Sequence, residues 1–181
     1  MKKRGSWKIK KSRIVYKNRW ISVREDSVIR PDGKRGIFGV VTMLPGSSVI
    51  PLDNRDNVYL TKEYHYGVGR VTIEAISGGI DRGESKLSAA KRELKEETGL
   101  NAKRWTYLGA VDPFTTVVYS PNHMYLARGL SQGKANQEGT ESIKVIKVPL
   151  KKAIRLVMES KITHSATCVA LLKVDRYLKR V

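Results

Sequence analysis

The residue pattern predicts an α+β fold with an antiparallel β extension at its N-terminus. Three observations carry that expectation. Alternating apolar and polar segments fill residues 6–60. A run of helix formers then covers Ala89 to Glu97, and two amphipathic segments close the chain after further strands. The 181 residues are enough for one domain with a real core and too few for two comfortable ones. Hydrophobic residues at 40% and charged residues at 29% suit a soluble globular protein.

The opening MKKRGSWKIKKSRIVYK is basic and lacks an apolar run, so it is not read as a signal peptide. Arg13 to Tyr16 and Ile21 to Ile29 alternate as strands do. Pro31-Asp32-Gly33-Lys34 has turn chemistry and closes a hairpin onto Gly36 to Leu44. Pro45-Gly46-Ser47-Ser48 breaks the chain, which sets a domain boundary near residue 45. The unit of residues 1–45 is too small to stand alone, so it must pack on the body or on a partner subunit. Val49 to Leu52, a turn over Asp53 to Asn57 and Val58 to Thr61 read as a second hairpin.

Residues 78–100, GGIDRGESKLSAAKRELKEETGL, organise the rest. Leu87, Ala90, Leu94 and Thr98 recur at helical spacing and predict a buried stripe, with Gly99 as C-cap. Glu93 and Glu97 lie four residues apart and share a helix face, with Glu96 one step away. Carboxylates crowded into one turn repel unless they are solvated, paired to lysines, or gathered around a cation. Hard divalent cations prefer such oxygen donors, and Mg²⁺ pairs a few carboxylates with substrate phosphates.

The whole stretch reads Gly78, five residues, Glu84, seven residues, Arg92-Glu93-Leu94, one residue, Glu96-Glu97, one residue, Gly99-Leu100. It resembles the Nudix box, G-x5-E-x7-R-E-U-x-E-E-x-G-U with U aliphatic, at every specified position. Upstream, Gly69-Arg70 and Glu74 resemble the Gly-Arg and Glu-x-Pro-Ala-Gly pattern of the ADP-ribose and nucleotide-sugar pyrophosphatase branch. His65 stands where that branch has Arg, and Ile76-Ser77 where it has Pro-Ala. Downstream, Trp105-Thr106-Tyr107-Leu108-Gly109 resembles the branch's Trp-x-Tyr-Leu-Gly, whereas Phe114-Thr115-Thr116 departs from its Ser-Pro-Gly loop after Pro113.

The resemblance implies a mixed sheet sandwiched between helices, an α/β/α arrangement over residues 46–181, with the N-terminal β unit swapped across a homodimer. It implies metal ligation of Mg²⁺ or Mn²⁺ by Glu93, Glu96, Glu97, Glu84 and the Ser77 carbonyl. Catalytic roles fall to Glu141 or Glu138 as base and to Arg92, which orients the carboxylates. Arg70, Glu74 and Phe114 become substrate contacts. For Arg70 a surface salt bridge, with Glu74 as the nearest candidate in sequence, is the plain alternative, for Phe114 a core-filling role, and for Glu138 and Glu141 two solvated loop glutamates. The implied activity is hydrolysis of the pyrophosphate bond of nucleoside diphosphate sugars. An RNA-cap or dinucleoside polyphosphate hydrolase and a non-catalytic nucleotide-sugar sensor are the other readings.

Thirty-five Lys and Arg against 17 Asp and Glu give a net charge of +18, and the pI is near 10.1. Such a field attracts polyanions and anionic small substrates. Without a helix-turn-helix, zinc finger or aromatic-basic RNA motif, a generally basic surface is favoured over nucleic-acid binding. His123 to Arg128 and Ser142 to Pro149 read as strands, and Leu150 to Ser160 and His164 to Lys179 as helices, the latter capped by Thr163 or Ser165. Cys168, the single cysteine, sits in that apolar pattern and reads as a core residue. One cysteine and no stretch of membrane-spanning length lead to a cytoplasmic expectation.

Overall fold

The computed structural model describes residues 1–133 and 143–179. The chain divides into two compact units. The first comprises Met1–Leu44 and Asp112–Ser120; the second comprises Pro45–Val111 and Pro121–Val181.

The first unit is one sheet. Its strands are β1 (Lys2–Arg4), β2 (Trp7–Lys17), β3 (Ile21–Ile29), β4 (Arg35–Met43) and β10 (Val118–Tyr119), in the order β1-β2-β3-β4-β10. The first four pair antiparallel, and β10 adds parallel to β4. The Pro31–Lys34 turn forms where its chemistry demands, with Gly33 at φ +80° and its N–H donating to the Arg30 carbonyl.

The second unit holds two sheets and three helices. Strands β5 (Gly46–Pro51), β8 (Ile76–Gly79), β9 (Leu100–Val111) and β11 (Asn122–Gln132) run in the order β8-β5-β11-β9. Strands β6 (Asn57–His65), β7 (Arg70–Glu74) and β12 (Lys144–Pro149) run β12-β6-β7. The helices are α1 (Lys86–Thr98), α2 (Leu150–Met158) and α3 (Ser165–Leu178). Helices on both faces follow from the strand period of two. Along β5, Ile50 packs in the core that includes Ala170, Leu171 and Val174 of α3, while its neighbour Val49 packs with Ala90 and Leu94 of α1. Along β11, Met124 and Leu126 join the first core and Tyr125 and Ala127 the second. The α+β fold with an N-terminal β-sheet is therefore as the sequence predicts.

Three details differ from the sequence reading. Ser47 and Ser48 are not a chain break: β5 already begins at Gly46, and both serines are buried in the sheet. The expected second hairpin does not pair as one. Only a single bridge, Leu52 to Val58, joins its arms, and β5 and β6 go to different sheets because each has a longer partner elsewhere. At α3 the N-cap is His164, with no side-chain cap; Ser165 is already helical, and Thr163 accepts a hydrogen bond from Arg70 instead.

The turn between β5 and β6 is held by Asp53. One oxygen accepts from the N–H groups of Arg55 (2.8 Å) and Asn57 (2.9 Å), and the other meets the Lys147 ammonium on β12 at 2.7 Å. Burial alone would raise its pKa, but Lys147 and these donors outweigh it and hold the carboxyl far below the usual range. Asp53→Ala should lower stability in urea unfolding by about 1–3 kcal/mol at neutral pH. A depressed folded-state pKa gives stability that is present above the unfolded value near 3.8 and is lost as pH falls below it. The difference between wild type and variant should therefore shrink in acid.

Candidate active site

Helix α1 starts at Ser85, which stands extended and whose hydroxyl accepts the Ser88 N–H at 3.0 Å. It stops at Gly99, whose φ of +70° suits a residue without Cβ, with the Gly99 N–H donating to the Lys95 carbonyl. Of the predicted stripe, Ala90 and Leu94 are fully buried and Leu87 and Thr98 half-buried; with Ala89, also fully buried, they fix the rotation of the helix. That rotation turns Arg92, Glu93, Glu96 and Glu97 toward the strand-and-loop segment Ser77 to Glu84.

Arg92 is the hub of this region. Its Nε and Nη2 both reach the Glu84 carboxylate at 3.1 Å, a two-point fork. Its Nη1 donates to Glu93 at 2.7 Å and to Glu96 at 3.1 Å. Its Nη2 also donates to the Gly79 carbonyl at 2.9 Å. One guanidinium thus joins three carboxylates and the loop backbone, and hydrogen bonding to Glu84, followed by its other acidic neighbours, raises its own pKa above the ordinary value. In return the Arg92 hydrogen bond lowers the pKa of Glu84. Glu84 also accepts the Asp81 N–H at 3.2 Å, which closes the loop ahead of the helix.

Glu97 is buried, and its Oε1 accepts the Ser77 N–H at 3.3 Å. Glu93 lies directly over Gly78: a Cβ built on that glycine would fall onto the Glu93 carboxylate. Gly78 is therefore required for close approach of the strand backbone to the helix carboxylate. Glu84, Glu93, Glu96, Glu97 and Ser77, separated by up to 20 positions, occupy one region of the second unit. Among the described residues no three acidic, histidine or cysteine groups form a ready metal cluster. The donor set, all hard oxygens, still fits Mg²⁺ or Mn²⁺ in kind.

Arg70 and Glu74 have partners of their own. Arg70 is exposed on β7, and its Nη2 donates to Thr163 Oγ1 at 3.0 Å. Its alternative reading as a salt bridge to Glu74 does not hold among the described residues. Glu74 instead sits between two imidazoles, His65 Nε2 at 3.2 Å and His164 Nδ1 at 3.1 Å, and accepts from Thr72 Oγ1 at 2.6 Å. Thr167 Oγ1 is 2.9 Å from His164 Nδ1 and accepts the Ala75 N–H at 2.8 Å, so α3 is pinned to the strand that leads into Ser77. Burial, with Glu74 opposing it, lowers the pKa of His164. Sequence reasoning missed His164, 90 positions from Glu74, and assigned no role to His65. Phe114 is exposed at 56% in the segment that belongs to the first unit, so it does not fill a core hole. Glu138 and Glu141 lie outside the described residues. Cys168 is half-buried, its Sγ donates to the Ile162 carbonyl, and burial pushes its thiol pKa up.

Comparison with known proteins points the same way as the box. Residues 43–166 match the NUDIX domain family, and residues 7–41 match the nucleoside diphosphate sugar hydrolase N-terminal domain. The chain is 25% identical over 163 residues to the methanol dehydrogenase activator of Bacillus methanolicus, covering 89% of this chain and 88% of that protein. It is 26% identical over 161 residues to the ADP-ribose pyrophosphatase of Bacillus subtilis, covering 87% and 86%. A crystal structure of an ADP compounds hydrolase superposes with a TM-score of 0.86 over 99% of this chain and 98% of that one, at 24% identity, a likeness of fold. With Glu84, Glu93 and Glu96 of the box gathered on Arg92 and residues 43–166 matched by the family domain, the chain belongs to the Nudix hydrolase family.

Proposed function

We propose that the chain hydrolyses the pyrophosphate bond of nucleoside diphosphate sugars of the ADP-ribose or GDP-mannose type, giving a nucleoside monophosphate and a sugar phosphate. The observation that carries this reading is the carboxylate cluster on Arg92, in a chain whose residues 7–41 match a nucleoside diphosphate sugar hydrolase domain. The ADP-ribose pyrophosphatase relative, aligned over 86% of its length, supports the substrate class.

Glu93 and Glu97, with Glu96 assisting and the Ser77 carbonyl nearby, would hold Mg²⁺ or Mn²⁺. When bound, such a cation neutralises pyrophosphate charge and acidifies the attacking water. Arg92 and Glu84 act as positioning residues that keep Glu93 and Glu96 oriented. Glu141, or Glu138, would take the proton from the attacking water. Arg70, Glu74 and Phe114 remain the proposed substrate contacts; exposed Phe114 presents a ring on which a base can stack. We assign residues 1–45 to a dimerising β subdomain and 46–181 to the hydrolase domain. Exposed apolar side chains of the first unit, among them Tyr16, Trp20 and Ile37, support a homodimer in which that β unit is shared.

The test is a substrate panel of ADP-ribose, GDP-mannose, other nucleotide sugars, dinucleoside polyphosphates and capped RNA, with Mg²⁺ present, read as phosphate after phosphomonoesterase treatment. Turnover of the nucleotide sugars, lost by a factor of about 10² or more in Glu97→Gln, is expected. Turnover confined to capped RNA or polyphosphates would overturn the substrate assignment, and no turnover of any compound would favour a sensor. Gly78→Ala probes the cradle separately. Its Cβ must push Glu93 aside, and Mn²⁺ affinity measured by electron paramagnetic resonance should fall about ten- to hundredfold.

A further inference from the structure

The N-terminal sheet carries a concentration of charge that hydrolysis of a small substrate does not use. Residues 1–44 hold thirteen Lys and Arg against three Asp and Glu, more than half of the +18 net charge on a quarter of the chain. Strand register sets where they point. Lys2 pairs with Ile9, Arg4 with Trp7, Ile9 with Val28, Ser12 with Asp26 and Ile14 with Arg24. Residues directly opposite one another share a face, so Lys2, Arg4, Trp7, Ile9, Arg24, Asp26 and Val28 lie on one side of the sheet, while Lys3 and Lys11, opposite Lys8 and Ser27, belong to the other. An extra residue between Ile9 and Lys11 shifts the β2 register there and places Lys10 and Lys11 side by side at the bulge.

Two cavities follow from this arrangement, both within the first unit. One, of about 540 Å³, is lined by Lys2, Lys3, Arg4, Lys10, Lys11 and Arg24, with no acidic residue in its wall. Arg24 is committed to buried Asp26 at 3.0 Å. Lys2, Lys3, Lys10 and Lys11 form no ion pair among the described residues. Four ammonium groups around one concavity repel each other, and an entering polyanion would relieve that repulsion. The second cavity, of about 430 Å³, shares Arg4 and Ile9 with the first and continues along the same face. Its wall presents Trp7, Val28, Phe38 and Tyr119, and also Asp26, which Arg24 neutralises, and Asp112. Trp7 and Phe38 meet edge to face at a centroid distance of 5.3 Å, which fixes the tryptophan ring. A basic channel that opens onto aromatic rings matches a chain in which phosphates alternate with flat bases.

We propose that these two adjoining cavities of the first unit bind single-stranded nucleic acid, with phosphates on Lys2, Lys3, Lys10 and Lys11 and a base against Trp7. Recognition is by backbone charge and stacking, so it is independent of sequence. The aromatic continuation favours nucleic acid over inorganic polyphosphate, which has no ring to place there. The site is independent of the pyrophosphatase reading and survives its failure.

Fluorescence anisotropy with a labelled 20-nucleotide oligouridylate, titrated at several salt concentrations, tests it. Wild type should bind with a steep negative salt dependence. Replacing Lys2, Lys3, Lys10 and Lys11 by Gln together should make the log–log slope shallower by about 3, at 0.7 for each phosphate contact of a single strand. Replacing Lys144, Lys151, Lys152 and Lys161 by Gln, all exposed on the second unit, removes the same charge and should change the slope by less than about 1. Trp7→Leu should weaken binding about tenfold and leave the slope unchanged. Far-UV circular dichroism confirms that each variant is folded. Absence of binding at low salt, equal losses in the two quadruple variants, or inorganic polyphosphate binding as tightly as RNA with no effect of Trp7→Leu would each overturn the proposal.

Discussion

The site depends on the Arg92 guanidinium and its fit among Glu84, Glu93, Glu96 and the Gly79 carbonyl. Without a cation among them, carboxylates this close would drive the helix and the loop apart. One planar group with five donors in fixed directions opposes that repulsion from a single position. A lysine at the same place could offer charge but not a two-point contact with Glu84 together with a separate arm toward Glu93 and Glu96. The loop from Gly78 to Glu84 is thereby held to the helix, with Glu93 resting where Gly78 has no side chain.

That contact is available only because the helix is correctly rotated, and the rotation is a packing result. Leu94, Ala90 and Ala89 are buried, and Glu97 is buried with them, so the packed face of the helix brings that carboxylate against the Ser77 backbone. Alternation along β5 and β11 then divides the sheet's side chains between two cores, one under α1 and one under α3. Thr167 links α3 to the backbone at Ala75, two residues before Ser77, so packing on one face of the sheet also steadies the strand that meets Glu97 on the other. The strand bearing Ser77 is thus held from both sides.

Local signals made the helix and its site legible in the sequence. The box positions, the stripe of Leu87, Ala90 and Leu94 and the Gly99 cap are short-range features, and all lie within one helix and its lead-in loop. Features that depend on distant partners were not legible. Pro45-Gly46-Ser47-Ser48 has the composition of a break, yet Ser47 and Ser48 are strand residues because β8 and β11 flank them on either side. The two arms around Asp53 look like a hairpin, but β6 finds a better partner in β12, nearly 90 positions on. The meeting of Glu74 with His164 depends on where α3 docks, and no local pattern encodes that. Thr163 and Ser165 each have capping chemistry, but Arg70 engages the first and the second is already inside the helix. The gathering of Lys2, Lys3, Lys10 and Lys11 around one concavity of the N-terminal sheet also depends on the pairing of β1 with β2, since along the chain those lysines look merely frequent.

The most direct test of this account is a double-mutant cycle between Arg92 and Glu84, using Arg92→Gln and Glu84→Gln, with urea unfolding in metal-free buffer. Arg92 is about one-third exposed and Glu84 less, so solvent screening reduces but does not remove their interaction. A coupling energy of about 1–2 kcal/mol is predicted, in the range found for contacting residues of one ionic network. A coupling within about 0.3 kcal/mol of zero would mean that the loop and helix are held by other contacts, and that Arg92 does not organise the site.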